Sequence, residues 1–203
     1  MICSTAAGQG DRLGIAEFDP GSLGRWETES FRGETEYGLV TVNGHTLLRA
    51  HCDATASGLY RELEVDLTTT PVLPWAWRVA GVYQGLQEKT KAGDDFPARV
   101  YVVDSGGWFV WRTRAINYVW ASGQPVGSHW LNPFAEQAMM VAVEAGAPKK
   151  AGLVHESRNV RADFRRLFGR DVDQIEAVAL MTDCDNAEVE GTAWYGAIWF
   201  SAQ

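Results

Sequence analysis

The chain has little of what marks a membrane protein, a zinc protein or a nucleotide enzyme. No apolar run approaches the ~18–20 residues that a membrane-spanning helix needs, so membrane insertion by a helix is not expected. The opening "MICSTAAGQGDRLG" has no apolar h-region, so no signal peptide is expected in the chain as written. A start truncated upstream would leave the periplasm open. Positive charge is scarce: 18 Lys and Arg against 26 Asp and Glu give a net charge of −8. Nucleic acid and anionic lipid both require a basic face, so neither is expected as a partner. The basic cluster of Arg158, Arg161, Arg165 and Arg166 is read more simply as a helix face. Cysteine is rare and odd in number, and Cys3, Cys52 and Cys184 lack metal-ligand spacing. A zinc knuckle is therefore not expected, and one disulfide is permitted without the pair being chosen. No P-loop, dinucleotide fingerprint or G-x-S-x-G elbow occurs, so no nucleotide cofactor is expected. His45, His51, His129 and His155 sit in no metal or triad motif.

Helical periodicity is nearly missing too. In "NVRADFRRLFGRD", Val160, Phe164, Leu167 and Phe168 recur at helical spacing, with Asn159 placed to cap the start and Gly169 the end. Elsewhere the apolar runs are short and alternate with period two, as strands do. Turn signals separate them: "VNGHT", "ATASG", "DSGG", "EAGAPKKAG". "VNGH" at 42–45 is the strongest hairpin signal, because Asn-Gly suits a type I′ turn. "SGG" at 105–107 marks a second hairpin, between strands at 98–103 and 108–112. A parallel sheet would need a helix after most strands, and those helices are missing. The expected fold is all-β: an antiparallel two-sheet jelly-roll sandwich of about ten strands with one short helix near 160–168. The length suits one domain spanning 1–203, with residues 1–14 as a flexible leading segment.

What the chain does have is tryptophan. There are nine, where ordinary usage gives about two or three. Strand parity groups them. Trp75, Trp77 and Val79 share a face, as do Arg99, Tyr101 and Val103, and as do Ile116, Tyr118 and Trp120. The opposite parities hold Ala76 and Arg78, then Ala98, Val100 and Val102, then Asn117 and Val119, so several strands carry a small-aliphatic face. This predicts an inter-sheet core of small aliphatics and a concave face of aromatic and polar groups. Sugars are held that way, with their C–H faces on rings and their hydroxyls on polar groups. The ligand-binding candidates are Trp75, Trp77, Tyr101, Tyr118 and Trp120 for stacking. Lys89, Lys91, Asp94, Asp95, Arg99 and Asn117 supply hydrogen bonds, with Glu156 and Arg158 at a sheet edge.

Two acidic clusters carry the remaining chemistry. In "KTKAGDDFPARVYVV", Gly93 and Pro97 turn the chain into a strand and charge collects at its mouth. Adjacent residues point to opposite sides, and Asp95 is expected to face the site beside Arg99. In "MTDCDNAE", Asp183 and Asp185 share a side and Asn186 adds an amide oxygen, a set suited to Ca²⁺. The EF-hand pattern fails there, and a capped turn is the simpler alternative. Three functions stay open: binding of a small molecule or glycan, a hydrolase or lyase using Asp95, Glu156 or Asp183 as acid or base, and a structural subunit. Oligomeric state has no signal.

Several stretches together resemble a known family. "KAGDDFPARVYVV", "INYVWAS", "NPFAEQAMMVAV", "ESRNVRADFRRLFG" and "VALMTDCDNAEVEGTAWYGAIWF" are similar to the bacterial family named domain of unknown function 3047. "FRGETEYGLV", "SGLYRELEVDL" and "LPWAWRV" fit it as well, so the resemblance runs from about Ile15 to Phe200. It implies a jelly-roll sandwich like those of galactose-binding-like and carbohydrate-binding domains, in mostly exported proteins, and it brings no catalytic residues. Cys184 departs from a "TDTDN" pattern that has Thr there, which is expected to weaken a polar contact at the site.

Overall fold

The computed structural model describes residues 12–19, 21–105 and 113–203. Cys3, residues 1–11 of the leading segment and the expected strand at 108–112 lie outside them; residues 12–14 belong to a strand. The strands are β1 (Arg12–Ala16), β2 (Glu27–Arg32), β3 (Glu36–Val42), β4 (His45–Asp53), β5 (Ala56–Asp66), β6 (Val72–Val79) and β7 (Arg99–Asp104). They continue with β8 (Arg114–Ala121), β9 (His129–Leu131), β10 (Ala138–Ala145), β11 (Val154–Asn159), β12 (Gln174–Asp183) and β13 (Glu190–Ser201). The α-helix, α1, is Val160–Phe168. One sheet has six strands in the order β11-β6-β13-β4-β3, with β1 also on β13; the other has seven, β2-β5-β12-β7-β8-β10-β9. The two form a jelly-roll sandwich.

Local signals explain local structure. Asn43 and Gly44 have φ of 51° and 81°, the pair of positive values that a type I′ turn demands, and Val42 faces His45 across the β3–β4 hairpin. Asn159 caps α1 by accepting from Ala162 N–H at 2.9 Å, and Gly169 ends it at φ 68°. Val160 and Phe164 are buried, with Leu167 and Phe168 packed partly against the core. One pair departs from the antiparallel expectation: β8 and β10 run parallel. The crossover that parallel strands require is the segment between them, which carries β9.

The core reverses the expected facing of the aromatic residues. Trp75 and Trp77 of β6 meet Tyr118 and Trp120 of β8 between the sheets, with ring centroids 5.4 Å apart for Trp75–Tyr118 and 5.9 Å for Trp77–Trp120. All four are fully buried. Sheets stack roughly 10 Å apart, and large rings fill that gap where small aliphatics would not. Trp75, Trp77 and Trp120 are therefore core residues and offer no stacking surface to a ligand.

Glu156 and Arg158 stand on β11, at the edge of the six-stranded sheet. Arg158 holds Asp163 of α1 through Nη2 at 2.6 Å, and Tyr118 donates its hydroxyl to the same carboxylate at 2.9 Å. That network docks the helix on the sandwich. Burial pushes the Glu156 carboxyl up to about 7, and the nearby Glu144 charge adds to the shift. A disulfide joins Cys52 to Cys184 across 132 residues, tying the end of β4 in one sheet to the end of β12 in the other. Cys184 packs with Cys52 and Tyr83 in a small buried cluster and does not line the cleft described next.

Candidate ligand cleft

The outer face of the seven-stranded sheet takes its character from alternate residues of its central strands. Arg99 and Tyr101 of β7, Asn117 of β8, and Met181 and Asp183 of β12 all point away from the aromatic core. Register brings them together: Arg99 stands beside Met181, and Tyr101 beside Asn117. The "AGDDFP" segment feeds β7 from above. Gly93 is required there by a close approach and not by φ, because a Cβ would lie 2.6 Å from the Gln87 carbonyl oxygen.

Arg99 is the centre of this face. Its Nε donates to Asp183 Oδ1 at 2.8 Å, and its Nη2 donates to Asp183 Oδ2 and to the Asp94 carbonyl. Nη1 reaches Asp94 Oδ2 at 3.5 Å and the Tyr101 hydroxyl at 3.3 Å. The guanidinium also lies 4.7 Å from the Phe96 ring centroid. Burial opposes its charge, yet Asp183, Tyr101 and Asp94 outweigh burial and hold its pKa well above the usual arginine value. Burial likewise pushes the Asp183 carboxyl up against the pull of Arg99. Both Asp183 oxygens accept from the guanidinium, which is the geometry of a carboxylate. Burial raises Asp94 as well, opposed by Arg99 and by Asn132, whose Nδ2 donates to Asp94 Oδ2 at 3.1 Å.

Asp95 takes a different place from the one the sequence suggests. It is fully buried and faces the 185–187 turn, accepting from Asn186 Nδ2 at 2.9 Å and Ala187 N–H at 2.6 Å. The carboxylate beside Arg99 is Asp94. Asp95 holds the turn that carries Asp185 and Asn186, and Asp185 is itself raised by burial and by the charge of Asp95. Of the residues expected to ligate a metal, Asp183 and Asp185 come together with Asp95, their oxygens within 4.8 Å of one another. Asn186 enters as a donor to Asp95.

Above this floor lies a cleft of about 400 Å³, lined by Asp94, Arg99, Tyr101, Asn117, Asn132, Asp183, Asp185 and Asn186 on its polar side and by Phe31, Phe134 and Met181 on its apolar side. An apolar cavity of about 240 Å³ adjoins it and shares Phe31, Tyr101 and Met181, with Tyr60 added. Phe31 and Phe134 are 69% and 59% exposed, so each presents a ring at the rim. Asn117 is buried and lines the cleft, and its Oδ1 has no hydrogen-bond partner among the described residues. Lys91 is exposed, with Nζ 5.3 Å from the Phe134 ring centroid, while Lys89 stands over Trp130 at 5.8 Å. Neither lysine lines the cleft, and Glu156 and Arg158 belong to the other sheet. Phe31, Asn132, Phe134 and Met181 were not singled out from sequence. Phe31 could have been, as a lone aromatic in the wholly exposed strand "ETESFR". The turn "NPF" offered a similar signal for Asn132 and Phe134.

The match to known proteins covers most of the chain. Residues 24–199 match the family described as "Protein of unknown function (DUF3047)". The chain belongs to this family. No curated protein matches it. Among solved structures it is similar to the family 30 carbohydrate-binding module of the cellulosomal cellulase Cel9D-Cel44B of Clostridium thermocellum. The TM-score is 0.52 at 13% identity, covering 95% of this chain and 98% of that one. It is similar also to the family 11 carbohydrate-binding module of Lic26A-Cel5E from the same organism, with TM-score 0.52, 10% identity and 97% of each chain covered. At these identities the likeness establishes the fold alone: this DUF3047 chain is a two-sheet jelly-roll β-sandwich.

Proposed function

We propose that the protein binds a glycan in the cleft on the outer face of the seven-stranded sheet. The observation that carries this reading is the pairing of two exposed rings, Phe31 and Phe134, with a buried polar floor built on Arg99. Aromatic rings take the apolar faces of a sugar and fixed polar groups take its hydroxyls. Asn117 adds a buried amide to the polar side of the cleft, and its Oδ1 has no partner among the described residues although buried polar atoms are normally bonded. The volume falls in the roughly 300–1,000 Å³ range of small-ligand sites, and the adjoining apolar cavity extends it toward a second ring. Two of the carboxylates serve the frame of the cleft: Asp183 is held by both oxygens on Arg99, and Asp95 holds its turn. Affinity electrophoresis of the protein through gels containing soluble neutral polysaccharides tests the reading. Retardation by at least one, lost on Phe31→Ala, supports it; free migration in every gel, or retardation accompanied by chain cleavage, removes it.

The same acidic cluster supports a second proposal, with Ca²⁺ among Asp95, Asp183 and Asp185, because hard cations take carboxylate oxygens. The ion would have to draw one Asp183 oxygen away from Arg99. A rise in Tm with millimolar Ca²⁺, reversed by chelator and absent in Asp185→Asn, supports this; an unchanged Tm removes it.

A further inference from the structure

The opposite face of the sandwich has a concavity of the opposite charge. It lies on the outer side of the six-stranded sheet, has a volume of about 410 Å³, and is lined by Arg78, Trp194, Pro148, Lys149 and Lys150, with no acidic side chain. Such a cluster is unexpected in a chain of net charge −8, where acids to neutralise it are plentiful. None of its three cations forms a salt bridge among the described residues.

Arg78 is held in place with part of its donor fork unused. Its guanidinium carbon lies 3.9 Å from the Trp194 ring centroid, and its Nη1 donates to the Ala151 carbonyl at 3.0 Å. These contacts fix the plane of the group. No acceptor is found for its Nε and Nη2 among the described residues. Arg78 also covers a face of Trp194, so that ring face is not open to stack on a sugar. Arg49, Trp194 and Arg78 form one row across β4, β13 and β6, which adds a further cation on the same side of the sheet. Lys149 and Lys150 stand exposed on the turn between β10 and β11.

We propose that this concavity is an oxyanion-binding site. The free edge of Arg78 takes a carboxylate, sulfate or phosphate group through two parallel hydrogen bonds, and Lys149 and Lys150 balance its remaining charge. Arginine suits this role because its planar fork matches the spacing of two anion oxygens, whereas the lysines act as mobile point charges. The site is separate from the glycan cleft, on the other sheet, and does not depend on it.

The test follows the Arg78 Nε–H and the 149–151 backbone amide signals by NMR in isotope-labelled full-length protein. Sodium sulfate, sodium phosphate and sodium D-glucuronate are titrated at fixed ionic strength, with D-glucose as the neutral control. The expected result is saturable shifts with at least one anion, weakened about tenfold or more in both Arg78→Gln and the double variant Lys149→Gln/Lys150→Gln. The tightest of the three names the group: an acidic sugar, a sulfated ligand or a phosphorylated one. The double variant changes only exposed turn residues, so it reports even where Arg78→Gln perturbs folding. No saturation below about 50 mM for any anion, equal shifts with D-glucose, or unchanged affinity in the double variant overturns the proposal.

Discussion

Two arginine–aspartate clusters, built from the same residue types, do different jobs. Arg158 pairs with Asp163 five residues away, and Tyr118 shares that carboxylate. Asp163 is buried, but its two cations, Arg158 and Arg166, reach water and outnumber the single carboxylate. Arg99 pairs with Asp183, 84 residues away, and with Asp94, and it is fully enclosed. Around Arg99 negative charge is in excess, with Asp95 and Asp185 close to Asp183, and a cleft opens above it. A cation-rich network at the sheet edge fastens a helix. An over-acidic, long-range pair beside a cavity suits the floor of the proposed site, because burying like charges together is costly and such clusters concentrate at functional sites.

The comparison is tested most severely by deleting each cation in turn. Arg99→Met leaves two buried carboxylates without their counter-charge and is expected to cost about 3–5 kcal/mol in urea unfolding. Arg158→Met leaves the buried Asp163 with Arg166 and Tyr118 as remaining partners, so the carboxylate keeps a counter-charge, and the change is expected to cost less, about 1.5–3 kcal/mol. Equal losses would show that the two clusters do not differ. The disulfide is next in size. Replacing Cys52 and Cys184 by Ala, or reducing them, frees a long loop in the unfolded chain and is expected to cost about 2–4 kcal/mol. The 185–187 turn under Asp95 stays hydrogen-bonded in that variant, so the cleft should keep its ligand.

A smaller effect separates the Glu156 edge from both clusters. Its carboxyl is raised from 4.5 to about 7, chiefly by burial. Between these values the folded state holds the proton more tightly than the unfolded state, so Glu156 makes stability fall as pH rises through that window. Glu156→Gln is expected to flatten this fall in Tm between pH 4.5 and about 7. The same slope in the variant and the parent would show that Glu156 is not the group responsible.

The sequence revealed what depends on near neighbours. The Asn43–Gly44 turn and the Asn159-to-Gly169 helix were legible because a few adjacent residues set their backbone. The jelly roll was legible from period-two runs without helices. The inward face was misread, because parity shows only that Trp75 and Trp77 share a side. Which side is inward depends on Tyr118 and Trp120 arriving from the other sheet. The "DDF" and "TDCDN" clusters announced a charged surface, and Asp94, Arg99, Tyr101, Asn117 and Asp183 line one cleft there. Arg99 also pairs with Asp94 only five residues away, but its pairing with Asp183 and the hold of Asp95 on the 185–187 turn span 84 to 92 residues, which no local pattern encodes. Phe31 and Asn132 reach the cleft by the same long-range route.

The central claim is that the cleft above Arg99, and not the tryptophan set of β6 and β8, receives a glycan. Calorimetric titration of the polysaccharide that retards the protein, into the parent and into Phe134→Ala, tests this most directly. Phe134 is exposed at the rim, so its loss should leave unfolding free energy within about 0.5 kcal/mol of the parent. The account predicts an affinity at least about tenfold weaker in that variant, the scale expected when an aromatic contact in a binding site is removed. Unchanged affinity with unchanged stability would contradict it and place the ligand elsewhere on the protein.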